Sequence, residues 1–339
     1  MNSKERVMCA LRGVKPDCVP FVETRVDPVL QEALLGKKLQ FPDTITHTTQ
    51  LCNPDLNELI GLDNLQFRFL PPIFAELHAS ADGLVPTKPL LRTEADVSKM
   101  TFPDPNDPAL YREAEAVINA HGDRYAVGAT LRSGISATHM SFGLEGLSYA
   151  LVDSPGLVET VFRKYSSWAI AVMKNLKNMG FDFIWTADDM AYKAGPMFSP
   201  EMFRGLFKPL MREFAEAVKS HGFLWILHSD GDVSTYIDDL IDIGIDGLHP
   251  IEPGAMDIEQ LKRDYVGRLC LVGNIDLHYT LTRGTPEEVD AEVKRRIEVI
   301  GAGGGYMISS ANSLTSYCKV ENVWAMINAI KAYRGKGCC

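Results

Sequence analysis

Two periods alternate along this chain. Short runs that are nearly all apolar or β-branched stand at VPFVE (19–23), DNLQFRFL (63–70), YAVGATL (125–131), FDFIWTA (181–187), FLWILH (223–228), GLHPI (247–251), LCLVGNI (269–275) and YMISSA (306–311). Between them lie longer segments whose apolar residues recur at helical spacing. The short runs predict eight strands and the longer segments the helices that cover them, the pattern of repeated βα units around a parallel sheet. Two helices carry signals at both ends. SPEMFRGLFKPLMREFAEAVKSHG (199–222) opens on Ser, TPEEVDAEVKRRIEVIGAGGG (285–305) opens on Thr, and each closes on Gly.

Eight strand–helix units predict the α/β class and one closed (β/α)₈ TIM barrel occupying residues 1–339 as one barrel domain. An open dinucleotide-binding sheet would place GxGxxG after its first strand, and the chain has none there. GGG at 303–305 precedes a strand and reads as a helix stop. From about 24 to 124 the pattern is less regular, with FPDTITHTTQLCNPDLNELI and LPPIFAELHASADGLVPTKPLLR, so an N-terminal insertion, lid or extra hairpin is expected there.

Composition narrows the function classes. With 46% hydrophobic residues the chain can bury a large core, and Lys+Arg 34 against Asp+Glu 44 gives a net charge of −10. That balance argues against a nucleic-acid partner or an anionic membrane surface. No signal-peptide core or run of about 18 apolar residues occurs, so a cytoplasmic protein is expected. Seven cysteines (9, 18, 52, 270, 318, 338, 339) lack CxxC spacing and read as reduced thiols, with Cys338 and Cys339 at a frayed end.

Barrel enzymes place their chemistry where strands end. Those positions hold Glu23 and Arg25, His139, Asp188 and Asp189, His228 and Asp230, His249 and Glu252, Asn274 and Asp276, then Ser309, Ser310 and Asn312. Plain structural roles compete for several of them. Asp232 is the better candidate to cap the helix after HSDGD, Asp188 and Asp189 could pair with Lys193, and His249 before Pro250 could shape a tight turn.

Across nearly its full length the chain resembles the uroporphyrinogen decarboxylase superfamily, through ALRGVKPDCVPF, GFDFIWTADDMAYKAGPMFSPEMFRGLFKPL, HSDGD, GNIDL, GGGYMISSANSL and VENVWAM. The resemblance implies one barrel with two chemistries, metal-free decarboxylation of porphyrinogens and zinc-dependent methyl transfer involving corrinoid proteins. Decarboxylases of that kind grip carboxylates with an RxxxR stretch after the first strand. Here Arg25 is kept, but the second arginine falls on Val29. The family's tyrosine falls on His139, a serine on Asp189 and a late histidine on Asn312. The loss of anion grip, with Asp189 adding repulsion, points away from porphyrinogens.

The methyltransferase branch carries HxC after strand 5 and a late Cys after strand 8, and some relatives add a Glu after strand 6. The matching residues are His228-Ser229-Asp230, Asn312 and Glu252. His228, Asp230 and Glu252 are therefore the metal ligands the resemblance implies, with Zn²⁺ as the metal. Three protein ligands and an open position suit a catalytic zinc, and carboxylates in place of thiolates leave it a harder acid that favours an ether oxygen.

The expected function is thus an O-demethylase-type methyltransferase. It would move a methyl group from a small methoxylated compound to the cobalamin of a corrinoid partner protein. Asp188, Asp189 and His139 are the expected catalytic groups, and Arg25, Glu23, Trp185, Phe142 and Asn312 the expected substrate contacts. Relatives often form dimers, which leaves a homodimer open. Two rival readings are a metal-free decarboxylase of a smaller carboxylic acid, with Arg25 as anion holder, and a non-catalytic barrel that binds a tetrapyrrole.

Overall fold

Seven of the eight predicted runs form parallel strands of one curled sheet, and the eighth closes it. The computed structural model describes residues 1–39, 48–50, 53–80 and 83–335. In chain order its strands begin with β1 (Thr48–Gln50), β2 (Asn64–Phe69), β3 (Ala75–Ser80), β4 (Gly83–Pro89), β5 (Ala126–Leu131) and β6 (Phe183–Ala187). They continue with β7 (Ala191–Tyr192), β8 (Gly195–Pro196), β9 (Leu224–His228), β10 (Gly247–His249), β11 (Cys270–Val272) and β12 (Tyr306–Met307). The main sheet runs β1-β2-β5-β6-β9-β10-β11-β12, with β1 antiparallel to β2 and the other pairs parallel.

The predicted strand at 19–23 is the stave that closes this sheet, although it is not a regular strand. Phe21 forms a parallel bridge with Ile308. Val22 N–H donates to the Ile308 carbonyl at 3.0 Å and Ile308 N–H to the Pro20 carbonyl at 2.9 Å. On the other side, Asp63 N–H donates to the Phe21 carbonyl at 2.7 Å, and Phe21 N–H donates to the Asp63 carboxylate at 2.9 Å. Pro20 has no N–H to give a ladder, and a side chain takes one backbone place, so the segment is irregular while its polar groups are paired. The resulting architecture is a (β/α)₈ TIM barrel.

Inside the barrel, Val22, Ala126, Phe183, Trp185, Ile226, Cys270, Val272 and Met307 pack together with Val7, Ala10 and Leu11 of the helix Ser3–Leu11. That helix plugs the lumen from the end opposite the strand C-termini. A second, larger apolar layer lies between strands and outer helices, with Phe162, Phe203, Phe214 and Tyr236 among its large buried side chains.

Both marked helices form, and each has one widened turn. Ser199 Oγ accepts Met202 N–H at 3.2 Å, the turn widens over Phe203–Phe207, and the helix continues as Lys208–Ser220. Pro209 supplies no N–H to the regular ladder, which accounts for the widening. Thr285 and Glu288 form a reciprocal capping box on Pro286–Arg295, followed by a wide turn at Arg296–Ile300.

Within the irregular N-terminal region, β3 and β4 form the expected extra hairpin. Residues 40–47 of the FPDTITH stretch, Cys52, Cys338 and Cys339 lie outside the described residues. Among the described residues, no helix is long and apolar enough to cross a membrane.

Candidate active site

The period of two that fills the lumen also aims the polar residues at its mouth. On β6, Phe183 and Trp185 face inward, so Asp189 continues that face while Asp188 leaves it. On β9, Leu224 and Ile226 face inward, which brings His228 and then Asp230 to the mouth. The same parity carries His249 at the end of β10, Arg68 beyond Gln66 on β2, and Arg132 beyond Thr130 after β5.

Ligand-capable atoms of Asp189, His228 and Asp230 lie within 4.8 Å of one another. His228 Nε2 is 3.5 Å from Asp189 and 3.7 Å from Asp230. Its other nitrogen, Nδ1, is 2.7 Å from Nδ1 of His249, which is fully buried. Burial, and then the neighbouring His228, holds His249 well below the ordinary imidazole range, so it is neutral. When His249 Nδ1 accepts from His228 Nδ1, the lone pair of His228 Nε2 faces the two carboxylates, the tautomer a metal needs.

Asp230 is pinned by Asn312, whose Nδ2 donates to its two oxygens at 3.1 and 2.8 Å. Burial pushes Asp230 up, His228 opposes the shift, and the carboxylates of Asp189 and Glu252 add to it. Among the described residues, neither Asp189 nor Asp230 pairs directly with a lysine or arginine. A histidine and two carboxylates converging without such a partner form a donor set that fits a divalent cation with nitrogen and oxygen ligands.

Glu252, expected in the ligand set, is not part of this group. It pairs with Lys193 at 3.1 Å and accepts Gly231 N–H at 3.0 Å, bracing the loop that carries Asp230. Lys193 therefore pairs with Glu252 rather than with Asp188 or Asp189. Gly231 requires its lack of a side chain: its φ is +79° and a Cβ would come within 2.6 Å of the Ala191 carbonyl carbon. Asp232, expected to cap the next helix, instead accepts Ser234 N–H at 2.9 Å just ahead of it, while Val233 and Tyr236 stand at the N-caps of the turn Ser234–Tyr236 and the helix Ile237–Ile243.

A cavity of about 180 Å³ opens above Trp185, lined by Thr24, Arg25, Arg68, Thr130, Trp185, Thr186, Ala187, His228, Asn312 and Ser313. A second cavity of about 280 Å³ shares Asn312 with the first, and its walls include Asp230, Lys193, Glu252, Asp276 and His278. Arg25, Trp185 and Asn312 thus stand where substrate contacts were expected.

Other expected residues do different work. Glu23 is fully buried, because Val22 faces the lumen and Glu23 therefore faces out of it; its oxygens accept Ser310 N–H at 2.7 Å and Ser310 Oγ–H at 2.8 Å. Phe142 is buried in the outer core, since helix Ile135–Asp153 turns that face onto the barrel wall. Asp188 is buried and accepts the N–H groups of Ser133 at 2.7 Å and Ser136 at 3.3 Å, which fixes the start of that helix. His139 borders a separate cavity of about 200 Å³ walled by Leu144, Leu147, Leu151, Met197, Phe198 and Met202; burial lowers its pKa, against the pull of Asp189.

Arg68, Arg132 and the pairing role of His249 are absent from the expected set. Arg68 and Arg132 had a signal: each is a charged residue at the C-terminal end of an apolar run. Asp189 was expected as an acid or base and is found among the potential ligands.

Comparison with known proteins agrees with this fold. The uroporphyrinogen decarboxylase (URO-D) family matches residues 77–333. The methylcobamide:CoM methyltransferase MtaA of Methanosarcina barkeri is 29% identical over 165 residues, a match covering 49% of this chain and 46% of that protein. The chain thus spans about half the length of that curated relative. The uroporphyrinogen decarboxylase of Chlorobium phaeobacteroides is 22% identical over 256 residues, covering 72% of this chain and 70% of its own. A solved methyltransferase from Methanosarcina mazei superposes with a TM-score of 0.79 at 20% identity, over 98% of this chain and 99% of that one, which establishes the shared fold. With most of its length matched and the same barrel built, the chain belongs to the uroporphyrinogen decarboxylase (URO-D) family.

Proposed function

We propose that this protein is a methyltransferase of the O-demethylase type, which moves a methyl group from a small methoxylated compound to a corrinoid protein. The carrying observation is the cluster of Asp189, His228 and Asp230, backed by His249, at the edge of a cavity sized for a small molecule. Its about 180 Å³ falls below the roughly 300–1,000 Å³ usual for ligand pockets, which favours one small ring over a tetrapyrrole.

A divalent metal such as zinc, held by Asp189, His228 and Asp230, would supply Lewis acidity at the ether oxygen. His249 fixes the tautomer of His228, and Asn312 keeps Asp230 turned toward it. Trp185 forms the cavity floor. In such a transfer the ether oxygen would keep the bonding pair and take a proton from solvent, and the partner's reduced corrinoid would supply the electron pair that takes up the methyl carbon. Two cavities that share Asn312 as a wall suit a transfer that needs separate places for donor and acceptor. Asp230, an oxygen donor at a position that is cysteine in the methyltransferase branch, favours an oxygen-bound substrate over a thiol.

The test incubates purified protein with a reduced corrinoid protein and a panel of methoxylated aromatics, and follows methylation of the corrinoid by absorbance. Transfer should be lost on complete metal removal and restored by zinc. Equal transfer after metal removal, or none with any donor in the metal-loaded protein, refutes the reading.

A further inference from the structure

Unpartnered hydrogen-bond donors gather at and beside the cavity above Trp185. Arg25 Nε, Arg68 Nε, Arg132 Nε and Trp185 Nε1 are all buried and have no hydrogen-bond partner. Each of these atoms can only donate. Arg25 pairs with Asp27 at 2.8 Å through a different nitrogen. Arg68 and Arg132 make no ion pair with any described residue. Arg132 feels Asp188 and Asp189 only at longer range. Arg68 is lowered to about 10, by burial first and then by the charges of Arg25 and Arg132. Arg25, Arg68 and Trp185 line the cavity, and Arg132 stands behind that wall, close enough for its charge to act on Arg68. Buried cations and buried donors are costly when unpaired, so a folded protein that gathers them at one side of a cavity has left room for an anion.

Topology sets where that anion would lie. Arg25, Arg68 and Arg132 follow the closing stave, β2 and β5, three consecutive staves of the barrel, whereas His228 ends β9 across the lumen. One side of the cavity is therefore cationic and the other carries the histidine–carboxylate cluster. The small volume admits one ring with one acidic group between them.

We propose that Arg25, Arg68 and Arg132 form a subsite for a single carboxylate, so that the methyl donor is a small methoxylated monocarboxylic acid and not a neutral ether. This rests on reading the cavity as the substrate site, but it concerns binding and is tested without methyl transfer. A guanidinium matches a carboxylate with two parallel hydrogen bonds, which a carboxamide of equal shape cannot reproduce. The negative charge also offsets the mutual repulsion of the three arginines.

The experiment measures binding of 3-methoxybenzoate and 3-methoxybenzamide to the full-length, metal-loaded protein by calorimetry, with no corrinoid present. The acid is expected to bind at least tenfold more tightly than the amide. Arg68→Gln should weaken the acid by tenfold or more and change the amide little, while Arg68→Lys should recover part of the loss. The acid–amide comparison in the unaltered protein stands even if the variants fail to fold. Equal binding of the pair, no binding of the acid, or an equal loss of both ligands in Arg68→Gln overturns the proposal. Tight acid binding without any demethylation would sustain this subsite and refute only the reaction.

Discussion

Glu23 offers a prediction whose size follows directly from its surroundings. It is fully buried beside the last stave, and burial raises its carboxyl from 4.5 to about 8 against the opposing hydrogen bonds from Ser310. At neutral pH it is therefore mostly protonated in the folded protein and ionised in the unfolded chain. The stability from this protonated form is fully present below pH 4.5, falls as pH rises, and is lost by about pH 8. The slope is about 1.4 kcal/mol per pH unit, and the whole window amounts to roughly 5 kcal/mol. Glu23→Gln keeps the shape and one acceptor for Ser310 but removes the titration. Urea unfolding of both proteins from pH 5 to pH 8.5 should show the Gln variant gaining on the parent by several kcal/mol, with other titrating groups cancelling in the difference. A constant offset of about 1 kcal/mol, the cost of one altered hydrogen bond, would refute the reasoning.

Four further outcomes are expected. Asp189→Ala should reduce bound divalent metal sharply on elemental analysis, whereas Glu252→Gln should retain it, since Glu252 serves Lys193 and Gly231 N–H. Replacing His249 by Phe should weaken metal affinity by about 10- to 100-fold in a competitive chelator titration, because His228 loses the partner that sets its tautomer. Gly231→Ala should destabilise the protein by roughly 2–4 kcal/mol in thermal or urea unfolding, from the strain of its backbone and the clash with Ala191. Breaking the Lys193–Glu252 pair with Lys193→Met should change stability by less than about 1 kcal/mol, since Lys193 is 55% exposed.

The sequence by itself determined the barrel. Apolar runs of five to eight residues are too short for helices and fit strands buried on both faces, and their alternation with capped amphipathic helices leaves few architectures. It also placed His228, Asp230, Arg25 and Asn312 at one mouth, because strand ends converge there whatever the loops do. Tertiary structure decided which neighbours take part. Asp188 and Asp189 are adjacent and chemically alike, yet successive residues of an extended chain point to opposite sides, so one anchors Ser133 and Ser136 while the other joins His228. A slip of one residue in register would exchange them, and only packing against the lumen fixes that register. Arg68 and Arg132 lie 64 residues apart along the chain and become neighbours because β2 pairs with β5, with Arg68 opposite Thr130. Glu252 lies one βα unit from His228, close enough for either role, but the path of the loop after β10 leaves it beside Asp230 and paired with Lys193 and Gly231 N–H.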